Sequence, residues 1–389
     1  MDKSKGEKSN QNNHPKRWVA CLVEEEYFGD DRKASRIERK RLSAKDRSKY
    51  KKTDYKKFEE SFKQEVQSKL ANKKLFRGRA LSITSQGITV DLDGETYTCA
   101  VRGLLKKEKT RVKNLVAVGD FVLFEKAPDH EGIITDVEPR TSTLSRADNL
   151  SRRKEQVLAA NIDQVLITVS VISPLLKPFL IDRYIIAAQK GNMKPVVLIN
   201  KVDLLEDETY DKETREQRKL LQECQEAYAK AEIALIPISA KTGEGLDQLR
   251  KAMKGKASVF SGQSGTGKSS LINAITGLNL PVKETVRKTR KGAHTTTRAH
   301  LQPLEFGGWC IDTPGIKSFG VWDLKDDQLE QYFSEICEYS HQCKFPNCSH
   351  IHEQECAVLE NLKNGKISPL RYDSYQALME SIHEIHRRR

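Results

Sequence analysis

The chain has 389 residues, 37% of them hydrophobic, with 67 Lys and Arg against 54 Asp and Glu, a formal charge of +13. That length holds two or three domains with real cores, and the positive balance points to a polyanionic partner, nucleic acid first. No apolar run is long enough to span a bilayer, the N-terminus MDKSKGEKSNQNN lacks the apolar core of a signal peptide, and the eight cysteines therefore read as thiols or metal ligands in a soluble, cytoplasmic protein.

Residues 1–74 carry 22 Lys and Arg against 13 Asp and Glu, a difference of +9 that is most of the net charge. This basic extension is expected to be flexible, and a charged helix on RNA and a solvated tail both stay open for it. Glu24 to Glu26 speak against a transit peptide, which is poor in acids. Residues 75–148 change to short alternating runs punctuated by Gly and Asp, such as GRALSITSQGITVDLDGETYTCAVRG and EGIITDVEP. Several strands in so few residues predict a small closed barrel, an OB-fold, with an SH3-like barrel as the rival. Arg77, Arg79, Arg102, Lys106, Lys107, Lys109, Arg111 and Lys113 are expected to give it a basic face for RNA.

From Glu155 apolar strands alternate with helical patterns, which predicts a doubly wound α/β domain over 155–322 with a central parallel sheet. Its loops carry the chemistry. After PVVLIN comes NKVD: Asn200, Lys201 and, at the end, Asp203, whose carboxylate accepts both the ring N–H and the exocyclic amine of guanine, a donor pair adenine lacks. After IALIPI come Ser239, Ala240 and Lys241, whose backbone N–H groups are placed to meet the guanine carbonyl while Lys201 lies along the base. Gly262, Gln263, Ser264, Gly265, Thr266, Gly267, Lys268, Ser269 and Ser270 then fit the phosphate-binding pattern GxxxxGK[ST] between the apolar run Ala257 to Phe260 and the helical LINAIT beginning at Leu271. Lys268 is expected to reach the β- and γ-phosphates, and the Ser269 hydroxyl to ligate Mg²⁺.

Two elements follow. HTTT, His294 with Thr295, Thr296 and Thr297, lies in a basic loop suited to closing over a γ-phosphate, with Thr295 or Thr296 as a Mg²⁺ contact. DTPG begins with Asp312, expected to hold Mg²⁺, and ends with Gly315, whose N–H would sense the γ-phosphate. The residue after DTPG is Ile316, where Ras-type GTPases place the glutamine that orients the attacking water, so another group must do that work. His294 is the nearest candidate.

Beyond 322 the chain offers Cys343, Cys348, His350 and Cys356, a C-x₄-C-x-H-x₅-C arrangement expected to make a closed, structural Zn²⁺ site, with a reduced, metal-free cluster as the rival. Cys337, His341 and His352 are spare ligands nearby. Helical patterns in LKDDQLEQYFSEICEYS and SYQALMESIHEIHRRR predict a mainly α zinc-binding domain over 323–389.

The order NKVD, SAK, GQSGTGKS, HTTT, DTPG is a circular permutation of the usual GTPase order. Behind a barrel and before a Cys/His cluster, it resembles the RsgA (YjeQ) family of bacterial GTPases that act in late maturation of the small ribosomal subunit. The resemblance covers the chain from about Leu75 to its end, and the basic N-terminus and Ala293, where the family commonly carries Arg, depart from it. It implies GTP and GDP as substrate and product, the small subunit and its rRNA as partner, no membrane, a monomer, and His294 as the catalytic histidine. The expected mechanism is a GTP-gated clamp in which barrel and zinc domain grip RNA until hydrolysis loosens them. The rival classes are an RNA-binding module with GTP as a structural ligand, and a GTPase acting on another RNA or particle.

Overall fold

The computed structural model describes residues 75–102, 115–147, 155–206, 211–277, 299–312 and 326–387. Five strands come first: β1 (Leu75–Ile83), β2 (Ile88–Leu92), β3 (Glu95–Val101), β4 (Phe121–Lys126) and β5 (Glu131–Val137). They are rich in β-branched and aromatic residues, and the inward set, Val90, Tyr97, Cys99, Val122, Phe124 and Ile134, is buried as one cluster. Pairing runs β1-β2-β3-β5-β4 and closes with β4 on β1; β3 and β5 are parallel and the other pairs antiparallel. This closed five-stranded order is the OB-type barrel, which sets the SH3-like rival aside.

Two arginines expected on its RNA face are engaged elsewhere. Arg77 donates to both carboxylate oxygens of Glu138 (2.7 and 3.0 Å) and stacks 4.1 Å over the Phe121 ring. Arg79 is half-buried, donates to the Asn161 carbonyl at 2.9 Å and lies over Phe121 and Trp309, so it belongs to the joint between the barrel and the next domain. Arg102 stays half-exposed beside Glu125, while Lys106, Lys107, Lys109, Arg111 and Lys113 lie outside the described residues.

A hairpin of β6 (Thr143–Ala147) and β7 (Glu155–Ala160) follows, which the sequence reading does not anticipate. TLSRA and EQVLAA are short and lack a clear period-2 apolar pattern. The α/β domain then runs β8 (Gln164–Ser170), α1 (Pro178–Lys190), β9 (Lys194–Asn200), α2 (Asp211–Lys230), β10 (Ala234–Ile238), α3 (Leu246–Met253), β11 (Ala257–Ser261), α4 (Lys268–Thr276), β12 (His300–Pro303) and β13 (Trp309–Asp312). In space the strands lie β10-β9-β8-β11-β13-β12, all parallel except β12. Alternate residues face opposite layers: Val197 and Ile199 pack with α1 and α2, Val196 and Leu198 with α3 and α4. Each such side chain, fully buried, contributes about 1.5–3 kcal/mol, so the sheet is held independently of the loops at its edge. A pairing of Ser82 with His300 continues the sheet from β12 into β1, giving eleven strands in one hydrogen-bonded order.

The C-terminal part is helical: α5 (Asp326–Leu329), a 3₁₀ turn Glu330–Tyr332, α6 (Ser334–Ser340), α7 (Ala357–Lys363) and α8 (Pro369–Arg387). The helical pattern of LKDDQLEQYFSEICEYS is thus realised in short pieces. Phe333 leaves helical geometry (φ −115°, ψ 90°) and its side chain is fully buried edge-on to Tyr375, with ring centroids 5.5 Å apart.

Candidate nucleotide site and metal centre

The parallel strands end on one edge of the sheet, where an open α/β sheet places its ligand. Asn200, the last residue of β9 and buried, ties three loops together there: its Nδ2 donates to the Thr266 carbonyl (2.8 Å) and its Oδ1 accepts from the Ala240 N–H (3.2 Å). Ser239, one strand over, donates its hydroxyl to Asp203 Oδ1 at 2.6 Å and accepts from the N–H groups of Lys241 and Thr242. The carboxylate of Asp203 is therefore fixed in direction by the loop it faces. Expected as free donors for guanine, the Ala240 and Lys241 N–H groups are instead partnered within the protein.

The loop expected to hold phosphate turns on glycines, two of which leave no room for a Cβ without a shift of their neighbours. At Gly262 (φ +143°) a Cβ would lie 2.0 Å from the Thr168 carbonyl oxygen, and at Gly267 (φ +88°) 2.2 Å from Asn200 Nδ2. Because Gly267 turns left-handed as the N-cap, α4 begins at Lys268, three residues before the Leu271 start expected from sequence, and Ser269 and Ser270 sit in its first turn. Lys268 Nζ donates to the Gly262 carbonyl at 2.7 Å and to that of Gln263, while Thr266 Oγ1 closes the loop on Gln263 O at 3.0 Å. Ser264 and Gly265 are exposed at the mouth. Asp312 ends β13, which runs parallel beside β11, so the backbone brings it next to the loop. His294, Thr295, Thr296 and Gly315 lie outside the described residues.

The loop Val171–Lys177, after β8, belongs to the same edge and was not singled out by the sequence reading. Lys201, itself at φ +66°, donates its ammonium to the Ser173 carbonyl, and burial lowers its pKa against the opposing pull of Asp203. The signal was available: this loop follows a buried strand of the same sheet and ends in the helix-starting Pro178.

The four donors expected to hold a metal come together. The donor atoms of Cys343, Cys348, His350 and Cys356 all lie within 4.8 Å of one another. A tetrahedral Zn²⁺ with Zn–S about 2.3 Å and Zn–N about 2.05 Å needs S···S edges of about 3.8 Å and S···N edges of about 3.6 Å. The structure has 3.8 Å between the sulfurs of Cys343 and Cys356, and 3.5 Å from each to His350 Nδ1. The other imidazole nitrogen, Nε2, meets Glu330 Oε2 at 3.1 Å, the carboxylate partner that fixes the tautomer of a ligating histidine. Burial, together with the neighbouring thiols, pushes the Cys348 thiol up to about 12, so a bound cation would have to displace its proton. Cys337, His341 and His352 are not in the group of four.

The sequence model described as RsgA GTPase matches residues 137–322, and that of the RsgA N-terminal domain matches 77–134. The Small ribosomal subunit biogenesis GTPase RsgA of Christiangramia forsetii is 38% identical over 74% of this chain and 90% of its own length. Its namesake in Thermotoga neapolitana is 36% identical over 79% of this chain and 96% of its own length. The chain belongs to the RsgA family. Among solved RsgA-type structures, YjeQ from Thermotoga maritima superposes with a TM-score of 0.65 at 32% identity, covering 79% of this chain and 98% of that one. YloQ, described as a circularly permuted GTPase, gives 0.62 at 28% identity over 80% of this chain and 96% of its own. Nucleotide loops that begin the chain in conventional GTPases lie here in its second half, on the same sheet edge, and family membership makes the chain a GTPase.

Proposed function

We propose that this chain is a GTPase of small ribosomal subunit biogenesis that holds GTP and Mg²⁺ at the sheet edge and ribosomal RNA through its barrel and zinc domain. The observation that carries the nucleotide reading is the junction at Asn200, which links the loops of Asp203, Ser239 and Lys268 through one buried side chain. On this reading Asn200, Lys201, Asp203, Ser239, Ala240 and Lys241 bind guanine, and residues 262–270 wrap the phosphates. Ser269, Thr295 and Asp312 hold Mg²⁺, Gly315 senses the γ-phosphate, and His294 orients the attacking water. Cys343, Cys348, His350 and Cys356 hold one Zn²⁺ with no open position, so the metal supplies fold rather than chemistry. The protein acts in the cytoplasm as a monomer. Its domains fall at 75–148, 155–322 and 323–389, with residues 1–74 as a basic extension.

Sedimentation with isolated ribosomal subunits tests the partner: the GTP-loaded chain should travel with the small subunit and leave after hydrolysis, and co-sedimentation with the large subunit alone would end the reading. Turnover measured against subunit concentration tests His294. His294→Ala should bind GTP normally and lose most of the stimulated plateau; a changed half-saturation point with the plateau intact makes His294 an RNA contact.

A further inference from the structure

A buried polar chain joins the helical C-terminal domain to α1, and the loop that leads into α1 touches Lys201 on the guanine side of the proposed nucleotide site. Arg371, on α8 and 1% exposed, donates from Nε to Glu335 Oε1 at 2.6 Å within its own domain and from Nη1 to Asp182 of α1, which is fully buried. Its guanidinium also stacks 4.4 Å over Phe333. The neighbouring Tyr372 and Tyr375 donate their hydroxyls to the backbone carbonyls of His350 (2.7 Å) and Ser349 (3.2 Å), so this turn of α8 holds the metal-binding loop as well. On the other side, Tyr228 of α2 donates to Asp182 Oδ1 at 3.0 Å, with the Pro178 carbonyl 3.4 Å away.

Pro178 is the first residue of α1, directly after the loop Val171–Lys177. That loop is pinned by Ser170 Oγ on the Pro174 carbonyl (2.7 Å) and by the Leu176 N–H on Gln217 of α2 (3.1 Å). It delivers the Ser173 carbonyl to the Lys201 ammonium, and sets Pro174 Cδ 3.8 Å from where a Cβ on Gly265 would stand. Parting Arg371 from Asp182 would leave the Asp182 carboxylate, fully buried, without its charge partner, while Arg371 keeps Glu335, so the cost of separation falls on α1 and ties it to α8.

We propose that Tyr228, Asp182 and Arg371 are positioning residues for guanine nucleotide binding: through them the zinc domain sets α1, α1 sets the Val171–Lys177 loop, and the loop sets Lys201 along the base. This rests on the placement of Lys201 at the base proposed above. By linkage, whatever engages the zinc domain shifts nucleotide affinity, and nucleotide shifts that engagement by the same factor.

The test is the equilibrium affinity of the full chain for GDP in Tyr228→Phe, Arg371→Lys, Lys201→Ala and the double variant Tyr228→Phe/Lys201→Ala, with zinc content and Tm followed in each. Tyr228→Phe removes one oxygen and should fold. It should keep its zinc and weaken GDP binding by roughly two- to thirtyfold, the range found for residues that couple sites without touching ligand. In the Lys201→Ala background the same change should cost less than about twofold, because the route ends at Lys201. Full multiplication of the two effects would mean a merely structural role and overturn the proposal. So would GDP affinity within twofold of wild type in both Tyr228→Phe and Arg371→Lys while Lys201→Ala weakens it. If Lys201→Ala itself has no effect, the placement of Lys201 at the base falls too.

Discussion

The nucleotide site and the metal centre both bring separated groups to within a few ångström, and they do so by opposite means. At the proposed nucleotide site the partners are far apart in sequence, Asn200 reaching Thr266 across 66 positions and Ser239 reaching Asp203 across 36. Their geometry is inherited from an apolar parallel sheet packed between two helical layers. The metal site draws its four donors from one short stretch, Cys343 to Cys356, whose loop has little apolar burial of its own. One site is built by the fold; at the other, a metal held by the four donors would help to build the fold.

With zinc at the four donors as proposed, removing it is the largest perturbation available. Structural zinc sites are worth about 10–16 kcal/mol in apparent terms, so Cys348→Ser should lose the metal and unfold much of the C-terminal domain. Guanine nucleotide should still bind, weakened at least as much as Arg371→Lys weakens it, because unfolding removes the whole Arg371 contact with α1. Metal analysis of freshly purified wild type showing no zinc would remove the premise, and loss of all nucleotide binding would show that the sheet edge depends on the metal after all.

Within the nucleotide site the sharpest change is at the base. Asp203→Asn exchanges an acceptor for a donor and also disturbs the Ser239 hydroxyl at 2.6 Å. GTP affinity should fall by at least about a hundredfold and preference should move toward xanthine nucleotides, as expected where a buried polar pairing is lost. Unchanged GTP affinity takes Asp203 out of the site.

The same contrast decides what could be read from residues alone. Apolar strands such as QVLITVS and PVVLIN carry their burial in their composition, and the glycines of 262–267 announce a phosphate loop because only a narrow backbone geometry uses them there. The cysteine spacing likewise encodes the metal site locally. What escaped was non-local pairing: the β6 and β7 hairpin, the joining of β12 to β1 through Ser82 and His300, and the turning inward of Arg79. An arginine looks the same in sequence whether it faces RNA or a tryptophan across a domain joint. Asp182, Tyr228 and Arg371 were invisible for the same reason, each being a polar residue on an amphipathic helix whose partner lies on a different element.

Gly267→Ala tests how tightly the two halves of the nucleotide site are stitched. A methyl group there meets Asn200 Nδ2 at 2.2 Å and sits at φ +88°. Strain of about 1–3 kcal/mol is expected for a non-glycine residue in such a conformation, and Asn200 must yield as well. Nucleotide affinity should drop by about tenfold or more while zinc content stays at one per chain. Retained affinity would mean that Asn200 does not stitch the loops in solution.

The smallest effect lies in the metal loop, at Glu353. Its carboxylate accepts backbone N–H groups from Ser349 (2.6 Å), Ile351 (3.1 Å) and His352 (3.1 Å), and so braces the turn that carries His350. Burial lifts this carboxyl, but the hydrogen bonds outweigh it and hold the group at about 2, below its ordinary 4.5. A carboxylate depressed on folding contributes stability that is present above the unfolded value and is lost as pH falls through the folded one. The stability advantage of wild type over Glu353→Gln should therefore be constant above about pH 4.5 and shrink between 4.5 and 2. Zinc release also takes up protons, but the ligands are the same in both proteins, so the difference between them isolates Glu353. The gap should be modest because the side chain is only partly buried and is screened by solvent. A gap that stays constant through that window would mean the loop is held by the metal alone, and the bracing hydrogen bonds would then be a consequence of its fold rather than a support for it.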